Sequence, residues 1–188
     1  MPRSKNKNLE LLGAFTGGLA LVLFLNRGKF KKSVKTALNT SQNKNYLDTL
    51  NPAYKQNFVG FLNALSSKGF SYQITSAFRT PQRSRELKKE NKKNASPFLS
   101  LHNYGLSIDV IILTPDKKLL DKETSINTWL NSGVVKLAKI YGLDWGGAFK
   151  DYADTVHFYV NKDASKLYLL ALKQFGSADK IQGNKLVI

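Results

Sequence analysis

With 188 residues, 42% of them hydrophobic, the chain is long enough for one domain of ordinary size and too short for two large ones. It contains no cysteine, which excludes disulfides and thiolate metal sites and leaves histidine and carboxylate as the strong ligands available, without deciding the compartment. The formal charge is +16, yet no zinc-finger, helix-turn-helix or ribonucleoprotein motif accompanies it, so the charge reads as attraction to anionic envelope polymers or lipid and not as specific nucleic-acid recognition.

Residues 1–26 join a basic start to the uncharged run Leu11–Leu25. That run has 15 residues, against about 20 for a comfortable bilayer span. No clear small-x-small cleavage site follows Leu25, where Asn26-Arg27-Gly28 comes next, so the segment reads as an uncleaved signal anchor, a hydrophobic amino-terminal helix, in preference to a cleaved signal peptide. Arg3, Lys5 and Lys7 lie before the run, and Arg27, Lys29, Lys31, Lys32 and Lys35 after it. The positive-inside rule then slightly favours a cytoplasmic location for the carboxy-terminal remainder of the chain. Residues 27–45, rich in Lys, Asn, Ser and Thr, read as a linker, residues 46–176 as the folded domain and 177–188 as a loosely held tail.

Within the domain, Asn51-Pro52 forms an N-cap and first-turn pair for a helix that buries Phe58, Phe61, Leu62 and Leu65 and stops at Gly69. Phe70–Ser76 is expected as a strand, Pro81–Glu90 as a helix, and Leu99–Leu113 as a loop running into a second strand. Ser125–Tyr141 has helical periodicity with Gly142 as its stop, His157–Val160 is a short strand, and Ala164–Phe175 a final helix. Helices and strands intermix without regular β-α-β alternation, which predicts an α+β fold.

Leu106–Leu113 is apolar and β-branched, and alternation places Ser107, Asp109 and Ile111 on one face and Leu106, Ile108, Val110 and Ile112 on the other. A carboxylate in the middle of such a strand is costly to bury unless a cation meets it. Gly105 allows the close approach that brings His102 back towards Asp109. His157, the only other histidine, follows Asp154 by three residues, so Asp154 reaches the same cavity only from a turn ahead of the strand. Two imidazoles and one carboxylate can hold zinc and leave a fourth tetrahedral position open, the pattern of a catalytic site. The blander alternative makes Asp109 a strand-end cap or the salt-bridge partner of Arg79. Trp145, Phe149 and Phe158 read as core, and Asp144 and Asp151 as loop or turn residues.

Taken together, Ser76-Ala77-Phe78-Arg79-Thr80, then Ser100-x-His102-x-x-Gly105-x-x-x-Asp109, Trp145-Gly146-Gly147-x-Phe149 and Asp154-x-x-His157-Phe158 resemble the zinc D-alanyl-D-alanine carboxypeptidase and L-alanyl-D-glutamate endopeptidase family of bacteria and bacteriophages. Ser107, Val156 and Ser84 depart from residues usual in that pattern. The resemblance spans about Leu47 to Val160 and implies a small, mostly antiparallel sheet flanked by helices, of the Hedgehog and D,D-peptidase kind. It implies His102, Asp109 and His157 as zinc ligands, Asp154 as the catalytic carboxylate, and Arg79 as the cation that faces a substrate carboxylate or the developing oxyanion. An Asp at position 154 is more similar to the L-alanyl-D-glutamate branch than to the VanY-like carboxypeptidases.

The expected activity is therefore zinc-dependent cleavage of peptidoglycan stem peptides in the bacterial envelope, by a membrane-anchored or exported monomer and in the manner of a phage or prophage lysin. D-alanyl-D-alanine carboxypeptidase is the alternative enzyme. A non-catalytic zinc-binding relative that recognises wall peptides is a further alternative, which the presence of Asp154 and Arg79 disfavours. A basic nucleic-acid-binding membrane protein would leave the two-histidine pattern without a use.

Overall fold

The computed structural model describes residues 41–92 and 94–188. The apolar run 11–25 and most of the expected linker lie outside them. Among the described residues no helix is long and apolar enough to cross a membrane.

Helix α1 (Ser41–Asp48) and helix α2 (Lys55–Ser67) lead into strand β1 (Ser71–Ser76) and helix α3 (Pro81–Glu90). Strands β2 (Ser107–Leu113) and β3 (Leu119–Leu120) follow, then helices α4 (Ile126–Asn131) and α5 (Val134–Ile140). Strands β4 (Asp144–Trp145) and β5 (His157–Tyr159) and helix α6 (Ala164–Phe175) complete the main elements. The strands pair antiparallel in the order β1-β2-β5-β4, with β3 beside the far end of β2. This is the expected antiparallel sheet with flanking helices.

The apolar positions of α2 recur at intervals of three and four, so Phe58, Phe61, Leu62 and Leu65 share one buried face. That face meets Ile108, Val110 and Ile112, the inward residues of β2. Phe158 of β5 lies 5.1 Å, ring to ring, from Phe61 and 6.0 Å from Trp129. A smaller cluster of Tyr104, Leu106, Leu167, Ala171, Ile181 and Leu186 packs beneath the loop ahead of β2. Leu106, expected as the first residue of the strand, lies one residue ahead of it and belongs to this second cluster.

Several expectations need correction. Residues 41–45 are not linker: they begin α1, whose buried Asn43 accepts a hydrogen bond from the Ile74 amide of β1 at 2.9 Å. Asn51 does cap a first turn at residues 52–54, its Oδ1 accepting from the Ala53 amide at 3.1 Å and its carbonyl from the Lys55 amide at 2.9 Å, but helix α2 itself starts at Lys55; the Asn51 Nδ2 meanwhile donates to the carbonyls of Gly183 and Leu186 at 3.1 and 2.7 Å. The tail is accordingly not loose. Ala178, Ile181 and Leu186 are buried, and two 3-10 turns, Ala178–Lys180 and Gly183–Lys185, shape it. Ser125–Tyr141 is two helices, broken where Gly133 takes a φ of +80°. By contrast, α3 has the expected bounds, with Pro81 at its first turn and the Thr80 hydroxyl accepting from the Arg83 amide.

Candidate active site

The site forms at the end of the sheet where β1 leaves and β5 begins. Register puts Ser76 and His157 on either side of Asp109. An irregularity between Ile74 and Ser76 bends β1 there, and the chain then turns through Arg79 into α3. Asp109 and Ile111 lie on the face opposite the buried Ile108, Val110 and Ile112, as alternation requires.

The structure brings together His102, Asp109 and His157. Nε2 of His102 lies 3.1 Å from Oδ1 of Asp109 and 3.2 Å from Nδ1 of His157, and that Nδ1 lies 2.9 Å from the same Asp109 oxygen. His102 donates from its other nitrogen, Nδ1, to the Ala77 carbonyl at 2.5 Å, which leaves Nε2 as a lone pair aimed at the carboxylate. Burial holds His102 below its ordinary value, outweighing the pull of Asp109, so the imidazole is neutral. Burial pushes the Asp109 carboxyl up, but positive charge or a donated proton at the two histidines more than offsets this and holds it well below the usual range, so the group stays a carboxylate. Two acceptor atoms, Nε2 of His102 and Oδ1 of Asp109, thus face each other at 3.1 Å. Such a pair repels unless a cation lies between, and nitrogen, nitrogen and carboxylate oxygen are the donor set that zinc takes. All three donor atoms lie within 4.8 Å of one another, so the residues fit a zinc ion.

Arg79 contacts the opposite side of the same carboxylate. One guanidinium nitrogen lies 3.5 Å from Asp109 Oδ2 and donates to Ser76 Oγ at 3.2 Å. Both readings of Asp109 therefore meet in one residue: Oδ2 pairs with Arg79 while Oδ1 joins the histidines. Burial lowers the arginine pKa, but an arginine remains a cation at any working pH.

Asp154 sits in the expected turn ahead of β5, where its carbonyl accepts from the His157 amide at 3.2 Å and its own amide donates to the Gly146 carbonyl at 3.0 Å. Burial and the nearby Asp109 raise its carboxyl pKa, against the opposing pull of His157 and Arg79. A carboxylate so poised is suited to taking and returning a proton.

The glycine pair explains the Trp-Gly-Gly spacing. A Cβ on Gly146 would come within 2.7 Å of the Asp154 carbonyl and 2.9 Å of His157 Cβ, and one on Gly147 would overlap the Trp145 indole. That indole donates to the Thr155 carbonyl at 2.7 Å and so ties the two ends of the loop together.

Sequence reasoning missed Asn103. It is fully buried, and its side chain donates to the Arg79 carbonyl at 2.7 Å and to Ser84 Oγ at 2.9 Å while accepting from the Phe98 amide at 3.1 Å. Ser84, a departure from the usual pattern, is thus a buried acceptor in that bridge. Val156, another departure, packs at the edge of the main core, and its carbonyl accepts from the Val110 amide. The third, Ser107, is fully buried with no hydrogen-bond partner for its hydroxyl among the described residues. Trp145 and Phe158 are core as expected, but Phe149 is not: it is 41% exposed and its ring lies 5.9 Å from that of His157. Asp144 is a strand residue paired with Lys139, whereas Asp151 lies exposed in a bend.

Residues 93–160 match a family model described as D-alanyl-D-alanine carboxypeptidase. The chain is 33% identical over 121 residues to the peptidoglycan L-alanyl-D-glutamate endopeptidase CwlK of Bacillus subtilis strain 168, a match that covers 57% of this chain and 71% of that protein. Among solved structures, it overlays on the L-Ala D-Glu endopeptidase ChiX of Serratia marcescens with a TM-score of 0.48 at 19% identity, covering 65% of this chain and 88% of the other. A zinc complex of the vancomycin-resistance D,D-pentapeptidase VanY gives a TM-score of 0.43 at 16% identity, with 64% and 78% covered. The motif order, the donor cluster and above all the extent of the match to the Bacillus enzyme lead to one assignment: the chain belongs to the D-alanyl-D-alanine carboxypeptidase family of zinc-dependent metallopeptidases.

Proposed function

We propose that the protein cleaves peptidoglycan stem peptides at the L-alanyl-D-glutamate bond, with His102, Asp109 and His157 as zinc ligands, Asp154 as general base and acid, and Arg79 as the substrate-facing cation. The observation that carries the reading is the facing of lone pairs within the triad, with a carboxylate of raised pKa three residues before one of its members. The choice of bond is supported by the activity of the Bacillus relative.

Bound zinc supplies a Lewis acid for the scissile carbonyl and lowers the pKa of coordinated water to about 7. The protein's own residues do the rest. Asp154 takes a proton as water attacks the carbonyl carbon and returns it to the departing amine. Arg79 balances charge gathering on the carbonyl oxygen or holds a carboxylate of the substrate. The Ala77 carbonyl and the Arg79 guanidinium keep His102 and Asp109 in their reactive orientation.

A second reading, D-alanyl-D-alanine carboxypeptidase, is favoured by the description of the family model that matches residues 93–160. Digestion of purified peptidoglycan by the zinc-loaded protein, with the new termini identified by mass spectrometry, separates the two. Release of fragments that begin with D-glutamate supports the endopeptidase, and loss of terminal D-alanine alone would replace it with the carboxypeptidase.

The substrate places the enzyme at the cell envelope. The run 11–25 serves in this reading as a signal anchor, the basic surplus draws the domain to anionic wall polymers, and the enzyme works as a monomer, as a phage or prophage lysin would.

A further inference from the structure

The site is asymmetric across the sheet. In strand order the functional side chains run Arg79 just beyond β1, Asp109 on β2, His157 on β5 and Phe149 just beyond β4. Three strand spacings separate the ends of that row, about 14 Å. One end is a half-buried guanidinium. The other is hydrocarbon.

Phe149 is held firmly while staying open. Its amide donates to the Gly146 carbonyl at 3.1 Å, and its ring packs so closely on Gly146 that an added Cβ there would lie 3.0 Å from it. The ring lies 5.9 Å from His157 and 5.4 Å from Tyr159, and the His157 and Tyr159 rings are themselves stacked at 5.4 Å. Three rings thus form a platform on one flank of the donor cluster, and Phe149, 41% exposed, is its outward surface. An exposed phenylalanine fixed beside a reaction centre costs solvation in the free protein, which binding of an apolar or C–H-rich group recovers.

The L-alanyl-D-glutamate bond has a matching asymmetry. The carbon that bears the scissile nitrogen also bears the free α-carboxylate of D-glutamate. On the other side the alanine nitrogen is acylated by the lactyl group of muramic acid, an uncharged sugar ring with C–H-rich faces. With the carboxylate at Arg79, the sugar side extends towards β4. The negative face of an aromatic ring attracts polarised C–H groups, and a rigid ring offers that surface at little cost in conformational entropy.

We propose that Phe149, backed by Tyr159, forms the subsite for the muramoyl sugar on the amino-terminal side of the scissile bond. This rests on the L-alanyl-D-glutamate reading above. The enzyme therefore distinguishes stem peptides still attached to glycan from those already released.

The test compares N-acetylmuramoyl pentapeptide with the same pentapeptide carrying only an N-acetyl group, using the zinc-loaded full chain and mass-resolved products. Phe149→Ala is expected to lower the preference of kcat/KM for the muramoyl substrate over the acetyl one by about tenfold, mostly through KM, as fits the loss of one aromatic contact. Phe149→Trp is expected to restore it, and the zinc content of both variants to stay equimolar. Equal losses of kcat/KM on the two substrates would show that the ring acts through His157, and an unchanged kcat/KM on both would show that no sugar meets it; either overturns the subsite while leaving the bond assignment intact. Product masses that show wild-type protein removing terminal D-alanine from both substrates would overturn the bond assignment and the subsite together.

Discussion

The two halves of the donor cluster are held by different physics. The half that carries His102 and Asp109 is fixed by hydrogen bonds and charge: the Ala77 carbonyl on one imidazole nitrogen, Arg79 on the outer carboxylate oxygen, and Asn103 bridging Arg79, Ser84 and Phe98. The half that carries Asp154 and His157 is fixed by shape. Gly146 and Gly147 yield the space that Asp154, His157 and the Trp145 indole fill, and Phe149 and Tyr159 close over the His157 ring. The first half is accordingly vulnerable to changes of polarity and the second to changes of volume. Both converge on the same three donor atoms.

The largest effect comes from the atoms that the halves share. His102→Ala, Asp109→Ala and His157→Ala are each expected to abolish stoichiometric zinc binding, measured by metal analysis of the purified protein, because two donors from these residues hold a catalytic zinc far more weakly than three. Near-normal zinc in all three variants would sink the ligand assignment.

Next comes Asp154, the proposed base. Asp154→Asn is expected to keep zinc and fold but to lose about 10²–10⁴-fold in turnover, the usual weight of general acid-base catalysis. Metal analysis with turnover on the same sample decides it, since loss of zinc would make Asp154 a ligand, and full turnover would place the base elsewhere.

The smallest effects separate the halves themselves. Gly147→Ala forces the Trp145 indole to move and is expected to cost about 1–3 kcal/mol of unfolding free energy by overpacking. Trimming the same indole with Trp145→Phe should recover part of that loss in the double variant, read as non-additivity in denaturant melts. Asn103→Ala is expected to cost a similar amount, about 1–3 kcal/mol, by orphaning buried partners, with no recovery from any change at Trp145. Recovery in both cases would merge the two halves into one packing unit.

Much of this was legible in the sequence because the constraints were local. Asp109 announced itself as an acid in a β-branched run, Gly105 as the residue that lets the chain double back, and Thr80-Pro81 as a helix start. Gly105 does take a φ of +67°, and a Cβ there would lie 2.7 Å from the Asn51 amide. What escaped notice depends on partners distant in sequence. Asn103 looks like any loop asparagine until Arg79, Ser84 and Phe98 surround it. Phe149 follows two glycines in a pattern that reads as core, and only the placement of β4 at the sheet edge exposes it. Helix α1 has a polar sequence, and burial of Asn43 against β1 makes it part of the domain.

The grip of Asn51 on the tail has a kinetic consequence. Its side chain reaches Gly183 and Leu186 across 132 and 135 positions of sequence, while its backbone amide donates to the carbonyl of Gly105, three residues after His102. The entropy of closing so long a loop must be met before those contacts reward it, and pairings of this span are the ones that slow folding. A chain interrupted near Phe175 is therefore expected to leave the Asn51 side-chain amide without its two carbonyl acceptors and the turn that carries His102 less firmly held, which lower hydrogen-exchange protection of that turn would reveal.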